Sequence, residues 1–247
     1  MKYYAVLQHT YSEFLGLIEN QLEKRDIGFN YFRPFVGQSV PGSAMQFDGL
    51  FVLSAAAPTV DREACPWVED EKQLIEIFRK AKRPVVGIGF GGLLVAELTG
   101  AMPTAEPFHN AYWTTAHATA AGKDDLLAQT VDGRRVLVMY NGAATLPPGL
   151  DPILVDADGN WLAIRPDELT YGLLFRPELK PGMIEDMIME EGRAVPEQIG
   201  ELLAQAREHW DEMQDLNDHV IVALVKELDL MQERRKPPVF SLKVEHT

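Results

Sequence analysis

Covalent chemistry has few carriers in this 247-residue chain: one cysteine, Cys65, and six histidines, His9, His109, His117, His209, His219 and His246. Thiolates and imidazoles are the usual nucleophiles and general bases, so their placement bounds the reactions available. Cys65 precedes Pro66 at a loop or helix start and reads as structural. His9 closes the first strand pattern, at the sheet edge where α/β proteins bind ligands, and is the best pocket candidate. His109 and His117 flank aromatic residues without metal-ligand spacing, and His209 and His219 stand beside acidic residues on a solvated face. No two histidines form an i, i+4 zinc pair, so neither a metal nor a cofactor is expected. Ser54 and Thr59 read as turn residues.

The most informative segment is Pro84-Val-Val-Gly-Ile-Gly-Phe-Gly-Gly-Leu-Leu-Val-Ala-Glu-Leu98. A buried strand runs into glycines and a helix starts at once, which aims backbone N–H groups and a helix dipole at the sheet's carboxyl edge. Gly87-x-Gly89-x-x-Gly92 satisfies the dinucleotide fingerprint. It follows the fourth strand instead of the first, and no acidic residue lies about 20 positions on at a strand end. The competing reading is a nucleophile elbow, a strained turn flanked by glycines because side chains there would clash.

The elements that must position this turn alternate. Tyr3–Gln8, Asn30–Phe35, Gly49–Leu53 and Pro84–Ile88 read as strands. Glu13–Lys24, Trp67–Lys82 and Leu93–Leu98 carry apolar residues at helical spacing. That order predicts parallel βαβ crossovers and a sheet covered on both faces. Past residue 110 the strands at Tyr112–Thr119, Arg135–Tyr140, Ile153–Asp156, Trp161–Ile164 and Tyr171–Phe175 are separated by turn signals such as Asp132-Gly133 and Asp158-Gly159. Helices resume at Met183–Glu190 and run from Pro196 to about Arg234, where an apolar stripe from Ile199 to Leu228 predicts either packing across the sheet or a homodimer surface. The expected organisation is a domain over 1–194, a helical extension over 195–236 and a tail over 237–247.

Composition narrows the partners. Hydrophobic content of 46% and charged content of 24% are those of a globular chain. Lys and Arg number 23 against 37 Asp and Glu, a net charge of −14. That balance disfavours nucleic acid and anionic membranes, whose binding needs basic surface. One cysteine permits no intramolecular disulfide, which suits a reducing cytoplasm. No apolar run approaches a membrane span, and the N-terminal run is too short for a signal peptide.

At the glycine turn the chain resembles the class I glutamine amidotransferases, especially stand-alone members similar to the glutaminase domain of GMP synthase. Their elbow reads Gly-Ile-Cys-x-Gly-x-Gln; here Gly87-Ile88-Gly89-Phe90-Gly91-Gly92-Leu93 stands in its place. Val6-Leu-Gln-His9 opens the chain as those proteins open. Asp48-Gly-Leu-Phe-Val-Leu-Ser-Ala-Ala-Ala-Pro58 stands where they carry a strand and a Gly-Gly-Pro turn, and Pro66-Trp67 introduces the next helix. Tyr171-Gly-Leu-Leu-Phe-Arg-Pro-Glu178 replaces their Phe-Gly-Val-Gln-Phe-His-Pro-Glu. Order and spacing agree from about residue 4 to residue 190. The resemblance implies a flavodoxin-like three-layer α/β/α sandwich with a mostly parallel central sheet and a helical C-terminal extension.

It also implies a chemistry that this chain lacks the parts for. The family uses a cysteine thiolate, a histidine base, a glutamate that orients it, and backbone N–H groups for the oxyanion. The matching positions here are Gly89, without a side chain, Arg176, which stays protonated, and Glu178. Ala55 and Ala56 replace the glycines of the oxyanion turn. The leading expectation is therefore a non-catalytic small-anion-binding or regulatory subunit. Gly89, Phe90, Ala55, Ala56, Arg176 and His9 would form a cradle for a carboxylate or phosphate, against the alternative that Arg176 pairs with Glu178 or another carboxylate and fills the vacated space. The other readings are an amidotransferase or γ-glutamyl hydrolase using residues not identified, and a nucleotide-binding domain.

Overall fold

A computed structural model describes residues 2–230; the tail from residue 237 and His246 lie outside the described residues. Runs apolar on both faces make the centre of the sheet. β1 (Tyr3–Leu7), β3 (Gly49–Val52) and β4 (Val85–Ile88) are almost wholly buried. With β2 (Gly28–Phe32) and β10 (Thr170–Leu173) they run parallel in the order β2-β1-β3-β4-β10. β9 (Trp161–Asp167), β8 (Leu154–Val155) and β6 (His117–Ala118) extend this sheet antiparallel beyond β10. A separate two-stranded ribbon pairs β5 (Met102–Thr115) with β7 (Arg135–Thr145).

Helices cover both faces, so the core divides into layers. α2 (Val68–Lys80) and α3 (Phe90–Glu97) bury Val68, Leu74, Ile75, Phe78, Leu93 and Leu94 on one side. α1 (Leu17–Glu23), α4 (Leu126–Val131) and α7 (Trp210–Glu227) bury Ile18, Leu22, Leu127, Val131, Val220 and Leu224 on the other. α5 (Pro181–Met189) and α6 (Ile199–Glu208) build a third cluster with Leu137 and Met139 of the ribbon.

Several boundaries depart from the sequence reading. α1 begins at Leu17 rather than Glu13, because the Glu13 side chain turns into a buried ion cluster and residues before Leu17 follow it. α4 is new: it has only six residues, too few to show periodicity, and starts on Asp125, whose side chain accepts the Ala128 N–H. The long C-terminal pattern breaks at His209 into two helices. Its apolar stripe is covered within the chain: Leu216, Val220, Ile221 and Leu224 join the main core, and Ile199, Leu202, Ala206 and Met213 pack with α5. The stripe therefore gives no ground for a homodimer through these helices.

One polar joint ties α7 to the sheet. Tyr171 donates to Asp125 at 2.6 Å, and Arg165 donates to Asp125 at 2.8 Å and pairs with Glu227 at 2.7 Å. The Arg165 guanidinium lies 4.9 Å from the centre of the Tyr171 ring. Among the described residues no helix is long and apolar enough to cross a membrane.

Candidate functional site

The site forms where β1, β3, β4 and β10 end. Gly89 closes β4 with φ +57° and ψ −112° and caps α3, the conformation of a strained strand-to-helix turn. The glycines around it serve helix–sheet packing. A Cβ on Gly91 would meet the Val52 carbonyl oxygen at 2.0 Å, and one on Gly87 would meet the Gly91 carbonyl oxygen at 2.2 Å. The Gly87-x-Gly89-x-x-Gly92 pattern is thus accounted for by α3 lying directly on its neighbouring strands.

Arg176, three residues past β10, is buried between two carboxylates. Its Nε donates to Glu178 at 2.5 Å, and its Nη1 donates to Glu13 at 3.0 Å and to the Met139 carbonyl at 2.8 Å. Glu13 is held from the other side by Arg193, at 2.9 Å. Arg193, from the segment between α5 and α6, also donates to Thr10, Ser12 and Glu190. Burial works to raise the Glu13 carboxyl, but Arg193 and Arg176 together hold it down at about 2. Burial also works against the Arg176 charge, yet Glu178 and Glu13 keep it firmly protonated. Glu178 is pushed up by burial despite the pull of Arg176. An ion cluster thus fills the position where the resemblance expects a histidine base, as the space-filling alternative describes. The Nη2 of Arg176 and the Nε of Arg193 are buried and donate to nothing. A cavity of about 20 Å³, room for one water molecule, is lined by Glu13, Arg193, Ser54, Ala55, His109 and Asn141 among others.

His9 lies in a different environment from the one expected of a ligand contact. It is buried, with Nδ1 donating to the Ser54 carbonyl at 3.0 Å and Nε2 donating to Glu71 at 2.8 Å. Burial acts to lower its pKa, but Glu71 outweighs this and raises it. A carbonyl at one ring nitrogen and an ionised Glu71 at the other favour the doubly protonated ring. The ring stacks at 6.2 Å on Trp67 and lies 5.0 Å from Phe90. Ser54, His9 and Glu71 resemble a hydroxyl, imidazole and carboxylate set, but His9 meets the Ser54 carbonyl, not its hydroxyl. An imidazolium with both nitrogens engaged accepts no proton and leaves no nitrogen for a ligand.

Ala55 and Ala56 line the turn after β3, and neither has positive φ. The Ala55 carbonyl accepts from Asn141 at 3.4 Å. The Phe90 N–H faces the Ser54 hydroxyl at 3.5 Å, and the Gly91 N–H donates to the Leu53 carbonyl, so the start of α3 is partly satisfied by the chain itself. Cys65 is buried, its thiol pushed up to about 12 by burial, with Glu71 and Asp61 adding to the rise. A thiol so placed is unreactive at neutral pH.

The structure therefore brings together Gly89, Ala55, Arg176 and Glu178, and adds Glu13, Arg193, Ser54 and Glu71. Sequence reading missed these roles because the partners are distant in the chain: Glu71 lies 62 positions from His9, and Glu13 lies 163 from Arg176 and 180 from Arg193. Only the departure from the family motif at residue 176 hinted that a new partner was needed there.

Comparison with known proteins follows the same line. No family model matches the chain. A curated glutamine amidotransferase-like protein of Salmonella typhimurium, YfeJ, is 31% identical over 102 residues, which are 40% of this chain and 43% of that protein. The match thus spans less than half the length of the curated relative. A glutamine amidotransferase structure from Thermotoga maritima aligns with a TM-score of 0.75 at 17% identity, over 91% of this chain and 98% of that one. Another, from Methylobacillus flagellatus, gives 0.78 at 20% identity, over 92% and 96%. Likeness at such identity concerns the fold.

Proposed function

We propose that this chain, similar in fold and over part of its sequence to glutamine amidotransferase-like proteins, releases no ammonia from glutamine and acts as a non-catalytic binding or regulatory protein. The observation that carries this reading is the commitment of Arg176 to Glu178 and Glu13 at the position of the family's histidine, beside an elbow at Gly89 that has no side chain. Without nucleophile and base there is no thioester route. Ser54 offers no substitute, because it is fully buried and its hydroxyl faces the α3 N-terminus with no free base in reach. Cys65 is equally unsuited, buried and protonated.

The ligand class we favour is a small carboxylate or phosphate. Two buried guanidinium nitrogens, Nη2 of Arg176 and Nε of Arg193, are unused. The ion cluster already balances them against Glu13, Glu178 and Glu190, so an anion enters by taking the place of the Glu13 carboxylate. Two measurements test the reading. Purified protein incubated with glutamine should give no ammonia above background; turnover above background overturns the non-catalytic reading. Glu13→Ala should gain thermal stability from added formate or acetate, while the same variant carrying Arg176→Ala should not. Absence of that gain removes the anion ligand and leaves the cluster as a structural filler.

A further inference from the structure

Away from the elbow, a cleft of about 680 Å³ opens between the β5–β7 ribbon and the β8–β9 hairpin, a size suited to small molecules. Three aromatic side chains line it, Tyr112, Tyr140 and Trp161, together with Asp156, Asp158 and Asn160. No lysine, arginine or histidine lines it, although the chain folds its basic residues into ion pairs elsewhere. The Trp161 ring is held in place by its indole N–H, which donates to the Ala144 carbonyl at 2.8 Å.

Asp156 gives the cleft its character. It is 3% exposed. One carboxylate oxygen accepts the backbone N–H groups of Asp158 and Asn160, at 2.9 and 2.8 Å. The other accepts the Tyr112 hydroxyl and the Asn160 side-chain amide, both at 3.0 Å. Burial works to raise this carboxyl, but the hydrogen bonds from Asn160, Tyr112 and Asp158 hold it below the usual carboxylate range. Burial and the Asp156 charge push the Tyr140 phenol up to about 12. The carboxylate is therefore fixed, ionised and without a cationic partner among the residues lining the cleft, while four donors occupy its lone pairs.

We propose that this cleft binds a small quaternary or fully methylated ammonium cation against Tyr112, Tyr140, Trp161 and Asp156. A sugar hydroxyl or a primary amine is held through free acceptors, and those of the buried Asp156 are taken; the other carboxylate, Asp158, lies at the exposed rim. A cation without N–H groups needs only negative potential and aromatic surface, and two carboxylates and three aromatic side chains line the cleft. The net charge of −14 adds a field that concentrates cations at the surface.

Binding of tetramethylammonium chloride, followed by isothermal titration calorimetry, tests this directly, with ammonium chloride and glucose as comparisons at matched ionic strength. Tetramethylammonium should bind saturably, and ammonium and glucose at least roughly tenfold more weakly. Trp161→Leu and Asp156→Asn should each weaken it by roughly tenfold. Because Asp156 also orders its hairpin, Asp158→Asn at the exposed rim is the second charge variant; its melting curve should match the parent while affinity falls a few-fold. No saturable binding, glucose binding as tightly as tetramethylammonium, or affinity unchanged in both Trp161→Leu and Asp158→Asn overturns the proposal.

Discussion

The hydroxyl of Ser54 stands where a side chain on Gly89 would begin: a Cβ at residue 89 would lie 2.5 Å from Ser54 Oγ and 2.8 Å from Ser54 Cβ. The elbow has therefore not been left as an empty slot. Its backbone keeps a conformation that L side chains rarely adopt, while a neighbouring side chain occupies the space above it.

Gly89→Ala should accordingly cost about 2 kcal/mol or more, from backbone strain and from the contact with Ser54. Ser54→Gly should lower the cost of that second substitution, since it removes the contact but not the strain. Denaturant unfolding of the two single variants and the double variant measures the coupling. Simple additivity would show that the two positions do not share the space.

Acid should weaken the fold through Glu13. Its carboxyl is lowered from 4.5 to about 2, so the stability it contributes is present above the unfolded value and is lost as pH falls through the folded one. The loss should fall between about pH 4.5 and 2 and amount to about 3 kcal/mol at most. Glu178, raised by burial, works with the opposite sign, so the test compares the parent with Glu13→Gln. Unfolding at pH 3 and pH 7 should show a stability gap that narrows in acid; a gap independent of pH rejects the assignment.

Alkali should weaken it through His9. Its pKa is raised, so its contribution is fully present below about pH 6.5 and is lost as pH rises through the folded value. Glu71→Gln removes the carboxylate that holds the charge. The parent should be more stable than this variant below pH 6.5, and the difference should shrink at higher pH. Titration of the His9 ring followed by NMR gives a second readout: its midpoint should drop in Glu71→Gln.

The parallel strands were legible because each is a short apolar run buried on both faces, as Gly49–Val52 and Val85–Ile88 are. The resemblance placed Gly89, Arg176 and Glu178 at one sheet edge, where they stand. What the sequence could not display was how an arginine is accommodated there. Glu13 reads as the first turn of an amphipathic helix, and only folding brings it to Arg176 across 163 positions and to Arg193 across 180. The break at His209 was hidden for the opposite reason: apolar spacing continues from α6 into α7, so periodicity alone reports one helix. His9 was placed at the correct edge, but its partner Glu71 sits on α2, where an acidic residue in the first turn looks like ordinary helix-dipole chemistry.

The four-residue cluster at the elbow also bears on attempts to engineer this chain. Arg176→His would take from the buried Glu178 its guanidinium and leave Glu13 with Arg193 alone, and breaking a buried pair costs about 3–5 kcal/mol. A cysteine at residue 89 meets Ser54. Each step toward a hydrolase is therefore downhill in stability until Ser54, Glu13 and Arg176 change together. The landscape between this protein and a working glutaminase has no gentle single-substitution path, and a library built one codon at a time would be expected to lose folded clones before it reached an active one.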